Sequence, residues 1–341
     1  MADSGTIFNL ILGSACNWHC EYCIQDKGVH FNKKHDVEKF CDNLLTFIDG
    51  NKISEIKRFS YWGGEPLLYQ KEISVLLSRL GHLRTNKPHR TITNGSLMNR
   101  EFVDMANHYR MLVNVSYHLG QLEDAQWETC LHIRDLNVTS LIHHERLDWE
   151  EFHQKWLWIQ DRFGRCVNWF VYPMLSVDGV TDHYALTKED VDLYVRNLYS
   201  YLDRLDDAFY NKAISVLFYA FKMGDISKSY TNFCFNPENF ALDLAGNRYL
   251  CHHNCSQDAR VGNIFAKSIP IISEEARKVI NRSTSENCRK CPAFRYCRGG
   301  CYRYVGQSVY CYYRQRMLDF LKYTKAHYSD VILPHYTANI L

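Results

Sequence analysis

The sequence predicts an α/β protein: six parallel strands alternating with helices as a partial barrel, then a small irregular region held by metal, then a closing helix. Three observations predict it. Strand-like and helix-like patterns alternate through about the first 220 residues. After about residue 230 the helical period fades, and Cys, Tyr, Arg and Gly crowd together. The chain has 341 residues, the size at which one core stops growing and a second, smaller unit is favoured.

The elements follow in order. Residues 7–12, 58–62, 90–93, 112–117, 138–142 and 167–172 read as short buried strands. Over 37–48, Val37, Phe40, Cys41, Leu44 and Ile48 share one helical face. Thr187 and Asp190 form a capping-box pattern, and Val191, Val195, Leu198, Leu202 and Leu205 follow at helical spacing. Beyond residue 230, only 274–281 keeps a helical pattern before the closing helix over 317–328. A parallel barrel places its active site at the carboxyl ends of its strands, so the loops after the strands are where chemistry is expected.

Composition narrows the class. Hydrophobic residues make up 46% and charged residues 23%, which excludes a disordered or fibrous chain. Forty Lys and Arg against 38 Asp and Glu leave +2, so net charge alone points to no polyanionic partner. No apolar run reaches the roughly 18 residues of a membrane span, and residues 1–4 lack the positive flank of a signal peptide. The expected location is the cytoplasm, without membrane contact.

Fourteen cysteines are the anomaly. A reduced chain of this size builds its core without disulfides, so spaced thiols suggest metal. Cys41 sits on an apolar helical face and reads as core, while Cys130 and Cys166 have no partner pattern. The other eleven form two groups. Cys16, Cys20 and Cys23 follow the first strand directly. Three thiolates leave a tetrahedral zinc site short of one ligand, which His19 or His30 would have to supply. On a cubane iron–sulfur cluster, three thiolates leave one iron open to chelate a small molecule. Tyr61-Trp62-Gly63-Gly64-Glu65-Pro66 ends the second strand, Thr93-Asn94-Gly95 the third, and Ser116 the fourth. Taken singly, these are turns.

Together they resemble the radical S-adenosylmethionine superfamily. Its signature is the Cys16, Cys20, Cys23 triplet with an aromatic residue, here Tyr22, before the last Cys. The resemblance implies that the cluster binds S-adenosylmethionine. Gly63, Gly64, Glu65 and Pro66 would hold the methionine moiety, joined by Thr93, Asn94 and, near the ribose, Ser116. The family often has an acid after that Ser; here His118 stands there, so the ribose contact rests on Ser116. Reductive cleavage of the sulfonium would yield methionine and a 5′-deoxyadenosyl radical that takes a hydrogen atom from substrate.

The second group is Cys234, Cys251, Cys255, Cys288, Cys291, Cys297, Cys301 and Cys311. Seven of these cysteines and Gly246, at their spacing, resemble the SPASM extension of radical enzymes. By that resemblance Cys234, Cys251 and Cys301 would serve a first auxiliary 4Fe–4S cluster, and Cys288, Cys291, Cys297 and Cys311 a second. Cys255 is the candidate fourth ligand of the first; without it, one iron there is open. Three 4Fe–4S clusters are thus implied. The competing reading is a pair of closed zinc sites, with His252 or His253 as possible ligands.

The resemblance implies a partial (β/α)6 TIM-like barrel over 1–228, the auxiliary-cluster domain over 229–316, and a C-terminal helix and tail over 317–341. Members of this subgroup mostly modify peptides by crosslinking, epimerisation, excision or oxidation. The first strand begins about six residues in, so a peptide substrate would need a separate leader-binding protein or be short. A reductant such as flavodoxin or ferredoxin is implied as well. The runner-up is a nucleobase, including bases in nucleic acid, or a small metabolite. Residues 288–316 carry seven Lys or Arg, no acid and interleaved Tyr, which would also suit a single-stranded nucleic acid groove. Charge compensation of an anionic cluster explains the same stretch. A third reading is a non-catalytic metal-stapled binding module. Acid–base roles stay unassigned among Asp178, Asp182, His118, His143 and His144 near strand ends.

Overall fold

The computed structural model describes residues 5–25, 36–117, 122–177, 183–222, 238–255, 259–266, 286–297 and 308–336. Six strands alternate with helices in chain order: β1 (Thr6–Ile11), α1 (Val37–Gly50), β2 (Ile56–Trp62), α2 (Gln70–Leu80), β3 (Arg90–Thr93), α3 (Arg100–His108), β4 (Leu112–Ser116), α4 (Asp124–Leu131), β5 (Leu136–Ile142), α5 (Glu150–Phe163) and β6 (Asn168–Pro173). Then come α6 (Lys188–Tyr201), α7 (Ala208–Lys222), β7 (Asn239–Asp243), β8 (Asn247–Tyr249) and β9 (Arg260–Asn263). Two short helices, α8 (Glu286–Arg289) and α9 (Phe294–Cys297), precede the long α10 (Ser308–Tyr336). All six sequence-predicted strands are present. The predicted helix over 274–281 lies outside the described residues.

The chain divides into two compact units. The first comprises residues 1–20, 24–136 and 233–280, and the second 21–23, 137–232 and 281–341. In the first, strands run in the order β4-β3-β2-β1-β7-β8-β9. β1 pairs in parallel with both β2 and β7, and β7-β8-β9 is antiparallel. Strand register sorts the side chains onto two faces. On one, the Phe8 ring stacks on Phe59 at 5.2 Å and Phe240 at 5.3 Å across three neighbouring strands. On the other, Trp62 Nε1 donates to Asn9 (3.0 Å), and Asn9 Nδ2 donates to Asn239 (2.7 Å). All six residues of β1 are buried, because both of its faces are covered.

In the second unit β5 pairs in parallel with β6. Thr187 caps α6 through the expected reciprocal box with Asp190. α10 begins at Ser308, nine positions before the predicted 317, and the stretch read as irregular contains β7, β8 and β9. Among the described residues no helix is long and apolar enough to cross a membrane.

A buried pair in the first unit has a measurable consequence. The Tyr61 hydroxyl and His89 Nδ1 lie 2.6 Å apart, and burial pushes the His89 imidazole down to about 4. The unfolded chain binds this proton near pH 6.5, whereas the folded chain binds it only near 4, so stability is retained above 6.5 and lost as pH falls through that window. Urea unfolding is expected to report a loss of about 2 kcal/mol between pH 7 and pH 5 from this group, and His89→Leu to remove that component.

Candidate active site and cluster-binding cysteines

In the first unit the β1–β2 pairing continues past both strands. Leu12 N donates to Trp62 O (2.8 Å), Gly64 N to Gly13 O (3.0 Å) and Glu65 N to Ala15 O (2.8 Å). The Gly-Gly-Glu-Pro segment therefore lies along residues 13–15, immediately before Cys16. A Cβ on Gly64 would stand 2.3 Å from Ala15 O and 2.4 Å from Ser14 O, so only glycine permits this approach. The Glu65 side chain caps a 3-10 turn, Pro66–Tyr69, and the Tyr69 hydroxyl accepts from Ala15 N at 3.3 Å.

Glu65 is 1% exposed and accepts three donors. Leu67 N (2.9 Å) and Thr93 Oγ1 (2.6 Å) reach Oε1, and Asn94 N (2.8 Å) reaches Oε2. Burial pushes its carboxyl above the usual range, and these donors pull it back. Asn94 Nδ2 donates to Asn17 Oδ1 (3.0 Å), and Asn17 Nδ2 donates to Ser96 Oγ (2.8 Å). Three motifs that are separate in sequence thus form one hydrogen-bonded network at the carboxyl ends of β1, β2 and β3. Cys16 is exposed and Cys20 half-buried, and Trp18 N donates to Cys16 Sγ at 3.4 Å. Ser116 ends β4 and is half-buried.

The second unit holds Glu21, Tyr22 and the half-buried Cys23. Tyr184 donates to Glu21 (2.6 Å), and its ring meets Tyr22 and His143 edge-on at 5.8 and 5.9 Å. His144 Nδ1 lies 2.7 Å from Asp190 Oδ2, and this hydrogen bond pushes the imidazole up. His118, Asp178 and Asp182 lie outside the described residues.

The later cysteines are carried by both units. In the first, the β7–β8 hairpin is organised by Asp243, which is 2% exposed. It accepts from Ala245 N and Asn247 N (2.9 Å each), Asn247 Nδ2 (2.8 Å) and the Tyr249 hydroxyl (2.9 Å). Gly246 takes φ +80° at the turn, a conformation that favours glycine. The hairpin delivers Cys251 and, one turn on, Cys255; both are buried. The Cys255 thiol donates to the carbonyls of Cys251 (3.8 Å) and His252 (3.7 Å). The His252 and His253 rings stand 4.1 and 5.1 Å from Trp62. Cys234 and Cys301 lie outside the described residues.

In the second unit Cys288, Cys291, Cys297 and Cys311 line one cavity of about 180 Å³. Burial pushes the Cys297 and Cys311 thiols up, and the neighbouring thiols of the set add to it. Among the described residues no three His, Cys, Asp or Glu side chains converge on a single ion. Four thiols on the wall of one cavity are the kind of donor set that a 4Fe–4S cluster takes.

Residues 4–132, which span the triplet and the three strand-end motifs, match the family model described as "4Fe-4S single cluster domain". Over those residues the chain is similar to that family. No curated protein sequence matches it. Among solved structures it is similar to native anSMEcpe with bound AdoMet, with a TM-score of 0.68 and 18% identity over 96% of this chain and 100% of that one. It is similar to native anSMEcpe with bound AdoMet and the Cp18Cys peptide, with a TM-score of 0.67 and 19% identity over 96% of this chain and 99% of that one. A third is SuiB of Streptococcus suis bound to precursor peptide SuiA, with a TM-score of 0.60 and 14% identity over 88% of this chain and 72% of that one. At these identities the likeness is one of fold.

Several residues that brace the candidate site escape sequence reading. Asn17 and Ser96 brace Asn94, and Tyr69 props Ala15. Their only sequence signal is adjacency to a motif. Asp192 is a further one. It accepts from the Tyr312 hydroxyl at 2.8 Å on each oxygen and from Arg316 Nε at 2.8 Å, which ties α10 to α6 beside Cys311. Cys41 and Cys130 are buried, with thiols pushed up to about 11 and about 12 by burial.

Proposed function

We propose that this chain is a radical S-adenosylmethionine enzyme that modifies a peptide by hydrogen-atom abstraction, and that its C-terminal cysteines hold two auxiliary 4Fe–4S clusters in a SPASM arrangement. The observation that carries the reading is the cavity lined by Cys288, Cys291, Cys297 and Cys311. Fold likeness to anSMEcpe with a bound peptide and to SuiB with its precursor peptide supports the substrate class. Cys234, Cys251 and Cys301, with Cys255 as fourth ligand, are assigned to the first auxiliary cluster. The proposed domains are the barrel over 1–228, the auxiliary-cluster domain over 229–316 and the helix and tail over 317–341. When bound and reduced, the N-terminal cluster supplies one-electron cleavage of S-adenosylmethionine.

The chain's own residues bind and orient. Cys16, Cys20 and Cys23 ligate, with Tyr22 beside the last. Gly63, Gly64 and Pro66 shape the backbone edge that receives the methionine end, and Glu65 holds that edge against Thr93 and Asn94. Ser116 faces the ribose. The substrate carbon has to be held about 3–3.5 Å from the radical carbon. A flavodoxin or ferredoxin is the proposed reductant, and a separate leader-binding protein presents the peptide. Several basic groups of the 288–316 stretch are already engaged: Lys290 with Glu286 (2.7 Å), Arg316 with Asp192, and Arg314 at the cavity wall. This pattern favours charge compensation over a nucleic acid groove.

The test is release of 5′-deoxyadenosine by reduced, oxygen-free protein with peptide fractions or nucleic acid fractions added. Stimulation by peptide is the expected result, with about twelve iron atoms per chain. Stimulation by nucleic acid alone, or zinc in place of iron, overturns the reading.

A further inference from the structure

The wall of the C-terminal cavity contains more than its four thiols. α10 contributes Tyr310, Cys311, Arg314 and Gln315, and the last three are spaced i, i+3, i+4 on one helical face. Gln315 Nε2 donates to Cys291 Sγ at 3.7 Å, and the Cys297 thiol donates to the Tyr310 hydroxyl at 3.7 Å. Once Cys297 is a thiolate it has no proton to give, so the phenol becomes the donor and the sulfur the acceptor. Arg314 lines the same cavity as Cys288, Cys291, Cys297 and Cys311. Two sulfurs therefore receive hydrogen bonds, and one cation faces the set.

Resting on the auxiliary-cluster reading, we propose that Tyr310, Arg314 and Gln315 raise the reduction potential of the cluster held by Cys288, Cys291, Cys297 and Cys311, fitting it to accept an electron. The physical argument is charge. One-electron reduction adds one negative charge, which is spread largely over the cluster sulfides and thiolates. N–H and O–H donors on those sulfurs, and a guanidinium beside them, stabilise the reduced form more than the oxidised form.

Tyr310, Arg314 and Gln315 are on α10 with one ligand, Cys311, while Cys288, Cys291 and Cys297 come from α8, α9 and the turn between them, so the tuning groups are separable from the ligands by substitution. Gln315 is exposed, and replacing it leaves the core intact. Tyr310 is 9% exposed, and Tyr310→Phe removes only its hydroxyl.

The experiment is a redox titration followed by electron paramagnetic resonance. It uses the full-length chain carrying Cys16→Ala, Cys20→Ala and Cys23→Ala, so that only the C-terminal clusters contribute. Gln315→Leu and Tyr310→Phe together are expected to shift the reduction equilibrium of one cluster about tenfold toward the oxidised form, which for one electron is about 59 mV. Arg314→Gln is expected to shift it the same way and Arg314→Lys to restore it. Dithionite is the reductant, and iron content is measured on every variant. If the parent chain shows no C-terminal cluster signal, the underlying reading falls and the proposal with it. A normal cluster whose potential is unmoved in Gln315→Leu and in the double variant overturns the proposal alone.

Discussion

With Cys16, Cys20 and Cys23 all replaced by Ala, the reduced protein is expected to release no 5′-deoxyadenosine, while iron falls from about twelve to about eight atoms per chain. The expectation follows from which residues line the C-terminal cavity, since none of the triplet is among them. The triplet sits in the loop after β1, whereas Cys288, Cys291, Cys297 and Cys311 line a cavity built by α8, α9 and α10. Removing the first set touches no wall of the second. Single substitutions test the same point in smaller steps, since a cluster missing one of three thiolates is already compromised. Iron that disappears entirely would mean that the C-terminal sites depend on the triplet. Retained cleavage would mean that another set of cysteines binds S-adenosylmethionine.

Glu65→Gln is expected to reduce cleavage at least about tenfold, the rate equivalent of about 1.4 kcal/mol, and to lower the melting temperature by a few degrees. All three of the carboxylate's hydrogen bonds are accepted, two on Oε1 and one on Oε2. A carboxamide offers one acceptor oxygen and one NH2 group. Whichever way it is turned, a donor faces a donor. If the oxygen keeps Leu67 N and Thr93 Oγ1, the Asn94 N–H is left buried and unsatisfied at about 1–3 kcal/mol. Asn94 also braces Asn17 in the cluster loop, so the disturbance reaches the residue next to Cys16. Glu65→Ala, which strands all three donors, is expected to be worse on both measures. A Gln variant with wild-type cleavage would reassign Glu65 to a purely structural role.

Much of this was legible in the residues. β1 is a short apolar run, and a strand buried on both faces requires one. Thr187 and Asp190 announced the start of α6 because a capping box is local chemistry, complete within four residues. The strand-end motifs were readable because their glycines and amides have few other uses. What was not legible depends on partners distant in sequence. β7 is five residues long and owes its place to pairing with β1, more than two hundred positions earlier. The start of α10 escaped for a different reason. Over Tyr310, Cys311, Tyr312, Arg314, Gln315 and Arg316, one face serves a cavity of thiols and another serves Asp192, so no apolar stripe marks the helix. The brace formed by Asn17, Asn94 and Ser96 is likewise tertiary, and sequence spacing carries no trace of it.

The Asp192 tie bears on how the enzyme matures. Tyr312 and Arg316 grip one carboxylate, Asp192, from a neighbouring face of the helix. That grip consists of ordinary protein hydrogen bonds and needs no iron. In many small metal domains the ion must gather its ligands from a loose chain and meet the ordering entropy out of its own binding energy. On the proposed reading, one wall of the cavity would stand before any cluster was inserted. Delivery to that cavity would then resemble docking more than folding, and a chain made without iron would keep the means to be completed later.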